Sequence, residues 1–378
     1  MAAIPLFKPY YGAAAEQAVL DVLRSGQVAS GPKVAAFEQA LTAWTSRPHV
    51  VATSDMSSAM MLALIMCGVG PGDDVITPAF TCLSSAAPIA NLGAVARWAD
   101  VQADTGLLDP QALLRRITPR TRACVVYHAA GYPARTAEIA ELCSQHGIAL
   151  IEDCNSAFGA RMKGSVLGQF GDACVYSFYP NRQLNATEGG AVAFSDAEKA
   201  AAAQRLRRFG IPAQGFRDAI GEINTQCDVP AIGWAASMNQ LNAAVGLENL
   251  AGLDARLRAT HDNAQMLASQ LAQVDGIKVV APQDGAEPAY WALLARVRHR
   301  DAVLKDLKAR GVMASKLHHR IDTYSGFRSE AVNLPGTAAF MDAVIALPCG
   351  WWLSADDLRK VAAAVADSMQ QASASRGA

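Results

Sequence analysis

The sequence has no excess of either charge. Across 378 residues, 33 Lys and Arg face 34 Asp and Glu, a formal net charge of -1. A polyanion-binding surface needs a basic excess, so no nucleic-acid partner is expected. No apolar run is long enough to cross a bilayer, so no membrane partner is expected. No basic leader precedes an apolar stretch at the start, so no signal peptide is expected. There is no CxxC pair among the eight cysteines, Cys67, Cys82, Cys124, Cys143, Cys154, Cys174, Cys227 and Cys349. Most sit in apolar contexts and read as reduced core thiols of a cytoplasmic protein. The chain is 51% hydrophobic and 18% charged. That is the composition of a soluble globular protein, long enough to bury one large core and a smaller one.

Helical and strand patterns alternate along the first half. Residues 13–25 and 33–45 read as helices, punctuated by Gly26 and by Gly31-Pro32. Residues 57–66 read as a helix opening with serines. Short apolar runs follow at 74–77, 94–99, 123–127, 148–152, 173–178 and 191–194, with helical stretches such as 134–146 between several of them. This alternation predicts an α/β protein with a mostly parallel sheet covered by helices on both faces. A loop rich in Gly, Asn and Pro spans 210–233. A long helical pattern begins near Asn239 and continues past Leu271 as a bridge between domains. We expect a large domain over 1–250, with the bridging helix and a smaller C-terminal α/β domain over 251–378.

Sheets of this kind hold ligands at the carboxyl ends of their strands. Three such ends carry polar residues. In SDMSSAMMLAL, Ser57 and Ser58 stand where a helix begins, and free amides, hydroxyls and the helix dipole would favour a phosphate there. An ordinary helix cap is the other reading. In IEDCNSAFGA, Glu152 and Asp153 follow an apolar strand. A carboxylate at that point can hold a protonated pyridine nitrogen, or can be a solvated loop acid. In SFYPNRQLNATEGG, Ser177 closes a strand and Glu188-Gly189-Gly190 leads into the next, with Arg182 between.

Together with GPKVAAFEQALTAW, VGPGDDVITPAFTC, ITPRTRACVVYHAAGYPA and SMNQLNAAVGLENL, these stretches resemble, in collinear order, the DegT/DnrJ/EryC1/StrS family of sugar aminotransferase-like enzymes. The resemblance runs from about Ile4 to Ala366. It implies a fold type I architecture, a homodimer with active sites shared between subunits, a small-molecule substrate, and pyridoxal phosphate (PLP) or pyridoxamine phosphate (PMP) as cofactor. By position it implies that Asp153 meets the pyridine nitrogen and that Ser57, Ser58 and Ser177 bind the phosphate. Cys82 and Ser156 take two further positions beside the cofactor, and no metal is implied. The implied chemistry moves an amino group onto a keto sugar, usually nucleotide-linked.

Position 182 is that of the Schiff-base lysine by the same resemblance, and here it is Arg182. A guanidinium stays a delocalised cation, makes no stable imine and is a poor base. Ordinary transamination is therefore expected to be impaired, with PLP or PMP bound non-covalently if at all. Neither Lys163, in an exposed turn, nor Lys199, on a surface helix, offers an obvious substitute. Other positions depart too. Met56-Ser57 replaces a Gly-Thr pair, Cys82 a stacking aromatic, and Ser156 a Gln or His. Ala235 and Ser237 replace an asparagine and an arginine, of which the asparagine reaches the partner subunit's phosphate in the family. Three histories remain open: a lysine altered to arginine, a PLP enzyme without the covalent link, or a pocket turned to other chemistry or to binding alone. One branch of the family does lack the link, carrying histidine at this position and performing sugar 3-dehydration.

Arg182 and His128 are the candidate catalytic positions, His128 because it ends the VVYH strand. A histidine satisfied by the fold is the competing reading for His128. Lys316, His318 and His319 fall where the family places substrate-contacting loop residues. The adjacent histidines lack a third and fourth ligand at metal spacing.

Overall fold

A computed structural model describes residues 3–327 and 330–374 of the chain. It opens with two helices, α1 (Ala13–Ser25) and α2 (Pro32–Thr45). Gly26, at φ 70°, closes the first, and Pro32 sits in the first turn of the second, where its missing N–H costs nothing. Strand β1 (His49–Thr53) leads into α3 (Met56–Met66). That helix is apolar nearly all round and is largely buried. Then come β2 (Asp74–Pro78), β3 (Val95–Ala99), β4 (Thr121–Tyr127) and β5 (Ala149–Asp153). A short hairpin, β6 (Arg161–Met162) and β7 (Ser165–Val166), precedes β8 (Ala173–Ser177) and β9 (Gly190–Phe194). The C-terminal part adds β10 (Ile277–Val279), β11 (Ala286–Glu287), β12 (Leu293–Val297) and β13 (Val344–Leu347).

The central sheet has seven strands in the order β1-β9-β8-β5-β4-β2-β3. Pairings from β8 through to β3 are parallel, and β9 runs antiparallel to both its neighbours. The expected α/β architecture with a mostly parallel sheet is what forms. The strands β2, β4, β5, β8 and β9 are buried almost throughout, which is why they read as apolar runs rather than alternating ones. A second sheet, β10-β12-β13, forms in the C-terminal part.

Two expectations are revised. Strand β1 has no counterpart among the apolar runs read from the sequence. The long bridging helix is two helices, Gln240–Leu250 and Leu253–Leu271. Gly252, at φ 68°, breaks it, because a left-handed residue cannot continue an α-helix.

Candidate functional site

The parallel strands deliver their carboxyl ends side by side. Asp153 ends β5 in register with Tyr127 of β4 and Val175 of β8. Its carboxylate is fully buried and accepts from Asn155 twice, from the backbone N–H at 3.1 Å and from Nδ2 at 3.2 Å. Burial raises the Asp153 carboxyl above its ordinary value, against the hydrogen bonds from Ser85 and Asn155.

A polar cluster sits beside it. The Tyr127 hydroxyl lies 3.1 Å from His318 Nε2, 3.3 Å from Ser156 Oγ and 3.9 Å from Cys82 Sγ. Cys82 stands just before the helix Leu83–Asn91, after β2. Burial pushes its thiol up and the Tyr127 phenol well up, so neither is an anion at neutral pH. Burial, and then the charge of Arg182, push His318 down to about 3, so its imidazole is neutral. The charge of Arg182 thus reaches Cys82, Tyr127 and His318, groups that are uncharged around neutrality.

Arg182 lies in a turn closed by its own N–H donating to the Tyr179 carbonyl at 3.0 Å. Gln183 Nε2 donates to the Ser156 carbonyl at 2.7 Å and ties this turn to the end of β5. The guanidinium carbon stacks 4.6 Å from the Trp291 ring centre. Trp291 is itself fixed, with Nε1 donating to the Asn181 carbonyl at 2.7 Å and with Phe7 stacked on it at 4.1 Å. Arg182 Nε and Nη1 are buried without a hydrogen-bond partner among the described residues. Guanidinium donors left in this state are available to an anion. Lys8, Thr260, Tyr290, Trp351 and Trp352 line the cleft that opens beside it.

A second polar cluster lies at the ends of β1, β9 and β8. Thr53, Gly190 and Ser177 stand in register across β1, β9 and β8. Ser177 Oγ accepts from the Tyr179 N–H at 3.4 Å. Asp55 caps α3: its carboxylate accepts from the Ser58 N–H, the Ser58 hydroxyl and the Ser54 hydroxyl, each at 2.8 Å. Ser58 was expected to offer free donors to a phosphate, and here both of its donors are given to a carboxylate of the same chain. Ser57 is half-buried beside it. The Ser54 N–H donates to the Ala236 carbonyl at 2.8 Å and Ser237 bridges to Thr53, so the stretch containing Ala235 and Ser237 adjoins this end.

His128 adjoins the Asp153 cluster through its backbone: its N–H donates to the Asp153 carbonyl at 3.2 Å and its carbonyl accepts from Ser156 Oγ at 3.3 Å. It is fully buried, its Nδ1 accepts the Ala134 N–H at 3.1 Å, and its Nε2 lies 3.5 Å from Glu152 Oε2. The Glu152 carboxylate in turn accepts from the amides of Gly168, Phe170 and Gly171. Burial pushes Glu152 up, but His128 and those amides more than offset it and hold the carboxyl below its ordinary value. Nδ1 is engaged by the fold, while Nε2, near Glu152, makes no hydrogen bond among the described residues. One ligand atom each from His128, Glu152 and Cys154 falls within 4.8 Å of the others, but Glu152 is already satisfied by three amides.

The strand ends therefore bring Cys82, Asp153, Ser156 and Arg182 together, and Ser57, Ser58 and Ser177 at the neighbouring end. Tyr127, Asn155, Trp291 and Asp55 join them without having been singled out. Asp55 carries a readable signal, since an acidic residue three before Ser58 at a helix start has the spacing of a cap.

A model of the DegT/DnrJ/EryC1/StrS aminotransferase family matches residues 9–366. The chain belongs to that family. Sugar aminotransferase CalS13 from Micromonospora echinospora is 32% identical, with 96% of this chain and 99% of that one covered at a TM-score of 0.91. The aminotransferase TlmJ from Streptoalloteichus hindustanus is 29% identical over 98% and 100%, also at 0.91. The putative sugar aminotransferase Spr1654 from Streptococcus pneumoniae, in its PLP form, shares the fold at 22% identity over 98% and 99%, with a TM-score of 0.90. The architecture is that of the fold type I PLP enzymes. No helix among the described residues is long and apolar enough to cross a membrane.

Asp153 is fully buried at the end of β5. At position 182 there is a guanidinium in place of an amine. Lys8 reaches only the rim of the cleft, with Nζ 6.0 Å from the Trp351 ring centre, while Lys163 lies in a turn with its N–H on the Gly285 carbonyl. At the start of α3, the Asp55 carboxylate takes the Ser58 N–H and hydroxyl. The residues present do not fit a covalently anchored phosphopyridine.

Proposed function

We propose that the pocket beside Arg182 receives a keto sugar, in nucleotide-linked form, or a related biosynthetic keto metabolite, and that ordinary amino transfer by this chain is impaired. Membership of a sugar aminotransferase family supports the substrate class. The observation that carries the impairment is Arg182 itself, a fixed cation among Cys82, Tyr127 and His318 that can neither form a stable imine nor act as a base near neutrality. Its role is to attract and orient a negatively charged or strongly polar group through Nε and Nη1. Trp291 and Tyr127 supply flanking walls, and Asp153 and Ser156 supply polar contacts deeper in. Any phosphopyridine is held without a covalent link, if at all. Two copies of the chain sharing their pockets, and a cytoplasmic location, belong to the same reading.

The test pairs binding with turnover. Purified protein is incubated with glutamate, PLP and uridine- or thymidine-diphosphate-linked keto sugars, and amino-sugar product is followed by mass spectrometry beside the thermal shift each sugar gives. The expected result is a stabilising shift with product no faster than the protein-free blank. Turnover near an ordinary enzyme rate, about 10 s⁻¹, or no shift with any keto sugar, would overturn the proposal.

A further inference from the structure

A buried polar atom without a partner is rare in a folded chain. Six such atoms belong to residues that line the cleft beside Arg182: Arg182 Nε and Nη1, Arg256 Nε, Trp352 Nε1, Asn181 Oδ1 and Gln183 Oε1. The first four are donors and the last two are acceptors. The Gln183 oxygen is assigned by its own amide nitrogen, which donates to the Ser156 carbonyl at 2.7 Å. Arg256 is fixed by its other nitrogens, which donate to the Ala251 and Asn249 carbonyls, and its guanidinium carbon stacks 3.9 Å from the Tyr10 ring centre. Lys8 is the third cation on the lining. None of the described residues that line the cleft is an aspartate or a glutamate. Phe7, Tyr290, Trp291 and Trp351 give the wall its aromatic surface.

These atoms narrow the chemistry of the ligand. Three cations with no acid among them call for negative charge. An inorganic anion or a plain carboxylate supplies acceptors only and leaves the two amide oxygens unmatched. An amino acid supplies donors through an ammonium group, which brings a further cation among cations. A carboxylate borne on a polyhydroxylated ring supplies both kinds of atom: carboxylate oxygens for the guanidinium and hydroxyls for the amide oxygens. Its C–H face packs on aromatic side chains, as sugars and other small ligands do in such clefts. We propose that the Arg182 cleft is a subsite for an acidic sugar, a hexuronate, which it prefers to the neutral sugar of the same ring. This rests on the pocket being a sugar site, as proposed above, and names the kind of sugar. Arg182 meets the carboxylate through Nε and Nη1, Asn181 and Gln183 take ring hydroxyls beside it, and Lys8 and Arg256 add attraction from farther off. The preference arises because a hydroxymethyl group in place of the carboxylate leaves a desolvated guanidinium without its counter-charge.

The test compares two ligands that differ at one carbon. Uridine-diphosphate glucuronate carries a carboxylate where uridine-diphosphate glucose carries a hydroxymethyl group. Both are titrated calorimetrically into the full chain, and free glucuronate and glucose are compared by thermal shift. The glucuronate form is expected to bind about tenfold or more tightly than the glucose form. That preference should vanish in Arg182→Gln. Asn181→Ala, which removes an amide oxygen and no charge, should weaken both ligands alike and keep the preference. Thermal melts confirm that each variant is folded. Equal affinities of the unaltered chain for the two ligands overturn the proposal, and so does absence of binding by glucuronate in either form, or a preference that survives in folded Arg182→Gln. Equal affinities would sink this inference and leave the reading of a nucleotide-linked sugar site standing. Stabilisation by free glucuronate and not by glucose, with no shift from any nucleotide-linked keto sugar, would do the reverse.

Discussion

The two polar clusters at the strand ends are made of similar materials used in opposite ways. At the α3 end, the Ser58 N–H and the hydroxyls of Ser58 and Ser54 are committed to Asp55. At the 181–183 end, a guanidinium is stacked rigidly on Trp291 while two of its nitrogens have no partner. One end is satisfied by its own chain and the other is left to be satisfied from outside. A folded chain leaves a buried donor unpaired at a cost of about 1–3 kcal/mol, so unspent donors mark where a ligand is expected, and spent donors mark where it is not.

That contrast can be broken from either side. The largest effect is expected at the closed end. Gly190→Ala pushes a methyl group into the backbone of Asp55 and Met56, which neither can vacate without disturbing β1 or β9. A loss of about 1–3 kcal/mol in urea unfolding is expected, and a loss within experimental error would show that the turn yields. Next comes pH at the open end. His318 is pushed down to about 3 in the folded chain by burial and by Arg182, whereas an unfolded histidine titrates near 6.5. Below that value the unfolded state binds more protons, so stability is complete above about pH 6.5 and falls as pH drops toward 3. His318→Gln should flatten this part of the stability profile, read by thermal melts from neutral to acidic pH. An unchanged slope would mean that His318 is solvated. The smallest effect on stability is expected for Arg182→Gln, which removes a cation–π contact worth about 0.5–1 kcal/mol and leaves no buried partner unpaired. The same variant should weaken binding of an anionic ligand about tenfold or more. Unchanged affinity would mean that the guanidinium does not meet the ligand.

The two ends were also unequally legible. Asp153 announces itself as an acid just beyond a short apolar run, and such runs end at one edge of a parallel sheet, whereas Cys82, Ser156 and the role of position 182 come from the family resemblance. Tyr127 closes the run ACVVY and passes for core. Its hydroxyl acquires meaning only through His318, 191 residues along the chain. Trp291 and Phe7 are likewise joined to Arg182 by packing alone. The helices 13–25 and 33–45 could be read within a residue because glycine and proline mark their ends. The pattern from Asn239 to beyond Leu271 could not be split by eye, since its periodicity continues on both sides of Gly252. The serines at the start of α3 were visible as donors. Whether they are free depended on one carboxylate rotamer, and no sequence pattern states a rotamer.

Phe7 comes from the extended segment ahead of α1, tethered by Ile4 bridging to Val312. It lies flat on the indole whose surroundings include the guanidinium. The opening residues are thus masonry, not a lead-in. They brace the tryptophan, so the surroundings of the arginine draw on a segment more than 170 residues before it.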